Sequence, residues 1–343
     1  MIWQRWQKLN ATGVLGINRR NAQYIMPLNA RKNFPIVDNK VLTKELAIRH
    51  GVAVPELYGV IRTPHEIRKL PAIVADHQDF VLKPAHGSQG DGIIVVVARR
   101  KDRYRTSSGR LLDWRDLEHH LTNALSGQFS LGGLPDRVMV EYRVRFDPIF
   151  ADVSFEGVPD LRIIVYRGYP LMAMVRLPTR QSEGKANLHQ GAIGAGISIA
   201  TGITLPAVGV GNRIVDEHPD TGAAIAGRVI PHWHRMLDMA ARCYEFTGLG
   251  YLGADIVLDA ERGPLMLELN ARPGLNVQIA NQDGLLRRMR VLDQIAGTPR
   301  EPEERVALAC ELAARGYPAA GAASVEAVDL KGSGSDATLQ NLT

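Results

Sequence analysis

The chain has 343 residues, 45% of them hydrophobic, enough to bury a sizeable core, and its length suggests two or three structural units. Lys and Arg number 41 against 36 Asp and Glu, a formal net charge of +5; this modest basic excess suits anionic small ligands better than genome binding, and no nucleic-acid partner is expected. The sequence has no long apolar run, secretory segment or lipidation signal, so a cytoplasmic protein without a transmembrane segment is expected. Its two cysteines, Cys243 and Cys310, follow no metal-binding spacing and read as ordinary thiols.

The first stretch, residues 1–35, carries Arg5, Lys8, Arg19, Arg20, Arg31 and Lys32 and no acid. Trp3, Trp6 and Leu9 have near-helical spacing; a short helix docked on the protein's own body is expected, the alternative being a helix lying on an anionic membrane or a partner. Asn18-Arg19-Arg20-Asn21 is a candidate to face the ligand cleft. Next comes a helix, begun by Asp38 or Asn39 and stopped by Gly51, with Lys40 in its first turn, where the helix N-terminus favours anions.

Residues 80–97 read as strand, glycine-rich turn, strand. Gly87, Gly90 and Gly92 let backbone N–H groups close over an anion, and Lys83 projects a cation from the preceding strand. This is not a Walker loop, because the lysine precedes the glycines and no helix follows. The basic run from Arg99 to Arg110 reads as a solvated hairpin or loop, since no series of stacking aromatics accompanies it, and a helix is expected around Asp113 to Leu125.

Strands are expected at Val138 to Tyr142, Leu161 to Arg167 and Pro170 to Leu177, then a helix from Pro231 to Phe246 stopped by Gly248. Gly248-Leu-Gly250-Tyr-Leu-Gly253 matches the dinucleotide fingerprint but has a helix before it and a strand after it, the reverse of a Rossmann turn. Two apolar strands, 253–259 and 264–270, flank the turn Glu261-Arg262-Gly263 and carry Asp255 and Glu268. Buried unpaired carboxylates are costly, so something cationic should neutralise them. With Asn270 and no His or Cys beside them, they form a hard oxygen set suited to Mg²⁺, which usually bridges to substrate phosphates, so a phosphate-bearing nucleotide is expected. Beyond Pro318 small and isolated polar residues predominate, and 319–343 are expected to be a disordered tail.

In order, Asp38-Asn39-Lys40, the Lys83 strand with its glycine loop, Arg137-Val-Met-Val-Glu141-Tyr142, Asp160-Leu-Arg162, Lys185-Ala-Asn187-Leu-His189-Gln-Gly191, Asp255 and Glu268-Leu-Asn270-Ala-Arg272-Pro-Gly274 resemble the ATP-grasp superfamily of carboxylate–amine ligases. The nearest branch is that of the RimK-type ribosomal-protein glutamate ligases and alpha-L-glutamate ligase-like proteins. The resemblance spans Ile36 to Asn281 and implies an α/β (α+β) ATP-grasp fold whose two lobes hold ATP between them. The small lobe would be 36–136, the large lobe with the Mg site 137–300, and a C-terminal helix 301–318. Relatives usually carry an α/β domain before the first lysine, so the basic segment 1–35 stands as its reduced counterpart.

By the same resemblance, Lys40 and Lys83 hold ATP phosphates under a loop containing Gly87, Ser88, Gln89, Gly90 and Gly92, and Glu141 with the Tyr142 backbone meets the adenine. Arg176 and Lys185 add nucleotide-side cations, and Asp255, Glu268 and Asn270 hold Mg²⁺, with Mn²⁺ as an alternative metal. Arg162 stabilises the transferring phosphoryl group, Asn187 and His189 approach phosphate and substrate, and Arg272 clamps a substrate carboxylate, with Asn276 near it. The implied activity is ATP-dependent amide or peptide bond formation through an acyl phosphate, adding glutamate or another amino acid to an acceptor. An ATP-grasp kinase acting on a hydroxyl and a non-catalytic ATP-binding regulatory protein are the alternatives. The cations beyond those one triphosphate requires point to at least one acidic substrate, and a homodimer is the expected assembly.

Overall fold

The computed structural model describes residues 12–87, 90–295 and 297–317. The expectations for Trp3, Trp6 and Leu9, for Ser88 and Gln89, and for the tail 319–343 lie outside the described residues. Helix α1 (Lys40–Arg49) starts after Asn39, whose side chain accepts from the Val41 and Leu42 amides, so Asn39 rather than Asp38 is the cap. Around it stands a first antiparallel sheet: β1 (Leu57–Ile61), β2 (Phe80–Pro84), β3 (Ile94–Arg100), β4 (Arg103–Thr106), β5 (Leu111–Leu112) and β6 (Val138–Glu141), in the order β1-β6-β2-β3-β4-β5. The basic run forms the β3–β4 end of this sheet.

Strand alternation divides the sheet's two faces. Phe80, Leu82, Val96, Val138 and Val140 pack under helix α2 (Trp114–Leu125), which contributes Leu117, Leu121, Ala124 and Leu125 and begins with a reciprocal Asp113–Asp116 capping box. Lys83 stands opposite Met139, and Met139 clusters with Ala85 and with Val41 of α1. A single strand thus sends Phe80 and Leu82 into the core and Lys83 to the other side.

The second sheet is also antiparallel and has the order β11-β10-β9-β8-β7-β12-β13. Its strands are β7 (Asp160–Tyr166), β8 (Tyr169–Leu177), β9 (Ile193–Ile197), β10 (Thr204–Val208), β11 (Ile214–Val215), β12 (Tyr251–Asp259) and β13 (Gly263–Asn270). Arg167 and Gly168 join β7 to β8, both with positive φ, as the two-residue hairpin turns that match strand twist require. At the β12–β13 turn, Asp259 accepts from the Glu261 and Arg262 amides. Helix α3 (Trp233–Thr247) starts two residues later than Pro231 suggests, because His232 takes a left-handed conformation, and it ends at left-handed Gly248. The dinucleotide-like glycines therefore serve a helix cap and a strand start.

Both faces of this sheet are covered over most of their length, which explains the nearly continuous apolar runs. Met236, Leu237, Ala240 and Cys243 of α3 cover Leu161, Ile163, Val165, Leu252, Ala254 and Ile256. Opposite, Leu15, Tyr24 and Ile25 join Leu285, Leu286 and Met289 of helix α4 (Leu285–Ile295) over Ile164, Tyr166, Met172, Met174 and Tyr251. Helix α5 (Pro302–Arg315) touches both clusters, through Val306 and Ala309 on one side and Leu308 and Leu312 on the other. The described part of the N-terminal segment is thus docked on the protein's own body. Among the described residues no helix is long and apolar enough to cross a membrane.

Asn29 fastens that segment to the sheet. Its side chain accepts from Tyr251 N at 3.0 Å and donates to Tyr251 O at 2.7 Å and Ala271 O at 3.0 Å. Asn29→Ala leaves these buried backbone groups without partners and should destabilise the fold by about 3 kcal/mol. Urea denaturation measures this, and a loss within about 0.5 kcal/mol, the range of an ordinary surface change, would show that the segment is not held this way.

Candidate active site

The uncovered end of the second sheet's inner face carries charge in cross-strand register. Asp160 of β7 faces Arg176 of β8, Arg162 of β7 faces Asp255 of β12, and Asp255 faces Glu268 of β13. Asn270 lies two residues along from Glu268 and therefore on the same face. Asp255 is 1% exposed and receives a two-pronged contact from Arg162, Nε to Oδ1 at 2.7 Å and Nη2 to Oδ2 at 2.5 Å. Arg176 Nη2 adds a bond at 2.9 Å and Asn270 Nδ2 one at 3.3 Å, while the rest of the Arg176 fork grips Asp160.

Asp255 is neutralised here by two guanidinium groups, those of Arg162 and Arg176. Arg176, counted as surplus charge for a ligand, is balanced by Asp160 and Asp255. Burial opposes the Asp255 charge, yet Arg162 and Arg176 outweigh it and bring the carboxyl down to about 2. Burial raises Asp160 to about 6 against the pull of Arg176, so of the two acids sharing Arg176, Asp160 is the one that takes a proton first.

The first sheet supplies the opposite wall. Lys83 Nζ lies 2.5 Å from Glu141 Oε1, and Lys44 of α1 lies 2.7 Å from Glu141 Oε2. Glu141 is fully buried; burial opposes its charge, but the two lysines hold its carboxyl below the ordinary range. Burial in turn lowers Lys44 to about 8 despite Glu141. Lys40 Nζ donates to Gly87 O at 2.5 Å and stands 3.7 Å from Glu268 Oε2, linking the glycine loop to the second sheet.

The base of that loop is anchored by Asp136, whose side chain accepts from Ser130 Oγ at 2.6 Å and from His86 N and Arg137 N, and pairs with His86 Nδ1 at 2.7 Å. Gly92 has φ 75° and a Cβ there would sit 2.5 Å from the Phe129 ring, so only glycine makes this turn against that ring.

One cavity of about 920 Å³ gathers most of the expected residues. Lys40, Lys83, Gly87 and Gly90 line it from the first sheet's side. Arg162, Arg176, Lys185, Asn187, Glu268, Asn270 and Arg272 line it from the other. Glu141, Tyr142, Gly92 and Asp255 are not in its lining: the first is sealed between lysines, Tyr142 lies under the Arg262 guanidinium at 3.8 Å, Gly92 backs onto Phe129, and Asp255 sits beneath its arginines. Arg20 also turns away, donating to Pro273 O at 2.7 Å, so it buttresses the 270–274 loop from behind.

Asp160, Lys44 and Asp136 were not picked out by motif reasoning as working residues, and Phe34, which lines the cavity under Arg272 with guanidinium to ring centroid 5.0 Å, was missed as well. The available signal was the acid two residues before Arg162 and the second lysine one helical turn after Lys40.

Two antiparallel sheets thus face each other across a cavity lined with cations and oxygen donors. The chain belongs to the sugar-transfer-associated ATP-grasp family, whose profile matches residues 19–294, and its fold is accordingly ATP-grasp, of the α+β kind. Among curated relatives, a probable alpha-L-glutamate ligase from Parasynechococcus marenigrum (strain WH8102) is 24% identical over 254 residues, 74% of this chain and 40% of that protein. A ribosomal protein bS6–L-glutamate ligase from Shigella boydii serotype 4 (strain Sb227) is 22% identical over 249 residues, 73% of this chain and 60% of that one. The chain thus spans about two fifths to three fifths of the length of these relatives. Among solved structures, the ATP-grasp ligase PsnB complexed with minimal precursor is 19% identical with a TM-score of 0.42, covering 79% of this chain and 64% of that one. D-alanyl-alanine synthetase A from Vibrio cholerae is 14% identical with a TM-score of 0.45, covering 84% and 68%.

The shared arginine makes a testable pH signature. An acid whose folded pKa, about 6 for Asp160, lies above its ordinary 3.8 stabilises most fully below that ordinary value, and the contribution is lost as the pH rises through the folded one. Asp160→Asn, which mimics the protonated acid, should therefore gain on the parent by about 2 kcal/mol in urea unfolding between about pH 4 and about pH 7. A difference constant with pH would show Asp160 ionised throughout.

Proposed function

We propose that the chain is an ATP-dependent carboxylate–amine ligase with ATP in the cavity between the two sheets. The observation that carries this reading is the convergence of Lys40 and Lys83 from one sheet with Arg162, Arg176, Glu268 and Asn270 from the other on a single cavity of about 920 Å³. Phosphoryl transfer asks the protein for positioning and charge neutralisation more than for covalent help, and these side chains offer both.

Oxygen donors at Glu268 and Asn270 suit Mg²⁺, which commonly takes one or two carboxylates and completes its shell with water and phosphate oxygens. The side chain of Glu268 is 38% exposed toward the cavity, whereas Asp255 spends its oxygens on arginines. Glu268 and Asn270 would therefore hold the metal, with Asp255 behind them as the residue that orients the guanidinium groups. Bound there, Mg²⁺ would neutralise phosphate charge. Mn²⁺ shares the hard-donor preference.

In the reaction, an oxygen of the acceptor carboxylate attacks the γ-phosphorus of ATP, the bond to the β–γ bridging oxygen breaks and ADP leaves. The amine nitrogen then attacks the acyl carbon, loses a proton, and phosphate departs. Arg162 and Arg176, fixed by Asp255 and Asp160, present donors where the negative charge of the transferring group develops. Lys40 and Lys83 attract the phosphates.

With Arg176 neutralised inside the site, the cations free to greet a second anion are Lys185 and Arg272. Among the described residues, Arg272 has a cation–π contact with Phe34 and neither it nor Lys185 has a carboxylate partner within ion-pair distance. They support an acidic substrate, and the relatives that are glutamate ligases by name support glutamate or another acidic amino acid as the amine.

Phosphate release with ATP, Mg²⁺ and a matrix of amino acids and short acidic peptides tests the reading. Release should require both a carboxylate and an amine, and mass spectrometry should show the joined product; phosphorylation of a hydroxyl instead would make the chain a kinase. Glu268→Ala should lower turnover by at least about 100-fold, as loss of charge stabilisation in a dry site does. Arg272→Ala should raise the KM for the acidic amino acid about tenfold or more and leave that for ATP within about twofold, the mark of lost ground-state binding to one substrate. Equal shifts in both constants would remove Arg272 from the acid's site.

A further inference from the structure

A second cavity of about 520 Å³ adjoins the first. The segment 185–192 runs along both: Lys185 and Asn187 line the first, His189 and Gln190 line both, and Gly191 and Ala192 line the second. Asn276 Nδ2 meets His189 Nε2 at 3.4 Å, so this pair stands at the boundary.

The chemistry changes sharply across it. The first cavity holds lysines, arginines and acids, whereas the lining of the second includes no Asp, Glu, Lys or Arg. It offers instead the side-chain amides of Gln181, Gln190, Asn212 and Asn276, with apolar surface from Val210 and Ile279. The Gln190 Oε1 atom is buried and takes no hydrogen bond, an acceptor with an unmet demand. Side-chain amides donate and accept together, which matches the paired N–H and C=O groups of another amide. A charged ligand would find no counter-ion here and would lose solvation. Apart from His189 the lining has no aromatic ring on which a sugar could stack.

We infer that the second cavity is a subsite for an uncharged, amide-bearing chain, the peptide-like body of the acceptor whose terminal carboxylate reaches the first cavity past His189 and Gln190. This rests on the ligase reading and narrows it. The charged cavity takes the nucleotide and the acidic groups, and the neutral one takes the part of the acceptor that carries no charge. An acceptor so held engages two adjoining cavities at once, which free glutamate is too short to do.

Calorimetric titration of the full chain tests this, with acetyl-Gly-Ala-Glu and its truncation acetyl-Glu, which has no free amine, as probes, each with and without the non-hydrolysable nucleotide AMPPNP and Mg²⁺. The peptide should bind about tenfold or more tightly than acetyl-Glu. Val210→Trp and Ile279→Trp, at exposed side chains on the rim (55% and 37%), should each crowd the second cavity and remove most of that advantage while leaving acetyl-Glu and AMPPNP affinities unchanged. Equal binding of peptide and acetyl-Glu, or a peptide advantage that survives in both variants, would overturn the subsite. A neutral oligosaccharide such as maltotriose that binds the parent chain and is lost in both variants, where the peptide is not, would also overturn it and make the site one for hydroxyl groups. Failure of AMPPNP to bind the parent would sink the ligase reading separately, and the peptide comparison would still decide the subsite.

Discussion

The Asp255 carboxylate, buried on β12 beside the edge strand β13 and bound by two arginines, sets the terms for the inner face of the second sheet. A charge removed from water must be met by well-aligned partners, or the structure bears several kcal/mol of unpaired desolvation. Here the partners come from two further strands: Arg162 from β7 and Arg176 from β8, the latter also gripping Asp160. A slip of one residue between β7 and β12 would turn Arg162 to the opposite face, among the side chains packed beneath α3. The ion network therefore specifies register as well as charge, and the same register fixes where the guanidinium groups stand in the cavity. Preorganisation of this kind comes from strands rather than loops, and strands hold position more tightly.

A second buried carboxylate does comparable service on the other wall. Glu141 sits between Lys83 and Lys44 and pairs with both. Lys44 does not line the cavity, yet it supplies a counter-charge to Glu141 that does not depend on Lys83. Without it, Glu141 would hold Lys83 as its sole cation. With it, Lys83 can turn toward an incoming anion and leave Glu141 still paired. In this arrangement Glu141 is the shared counter-ion of Lys83 and Lys44.

The elements were legible wherever local chemistry decides them. Asn39, Asp113 and Gly248 punctuate helices by hydrogen bonding and φ alone, and Asp255 and Glu268 stood out because a buried strand has no cheap use for acids. What remained hidden depends on partners far along the chain. Nothing near Asp160 or Arg176 announces that they share a cross-strand pair, and the surplus positive charge shrank once that pairing was in view. Asp136 looks like an ordinary loop acid until His86, fifty residues away, comes to rest on it. The glycines of the 87–92 loop read as backbone able to close over an anion, and what the sequence hides is that Gly92 is also required for its positive φ against Phe129. The start of α3 was misplaced because Pro231 is a good first helical residue, and the left-handed His232 that overrides it is a tertiary choice.

The cavity's charges are largely spoken for before any ligand arrives. Arg162 and Arg176 answer Asp255 and Asp160, Lys83 answers Glu141, and Lys40 stands near Glu268. A bare anion entering such a site must compete with these internal carboxylates, which lowers its net gain. A metal–nucleotide pair bound as proposed would meet a different balance, because it would bring a cation for Glu268 along with phosphates for Lys40, and both partners of a loose 3.7 Å pair would be satisfied in one event. The tighter Arg162–Asp255 pair has no such exchange to make, since both its members are held in register by neighbouring strands. The site thus combines a fixed part that orients with an exchangeable part that admits, and the exchangeable part is the one that bridges the two sheets.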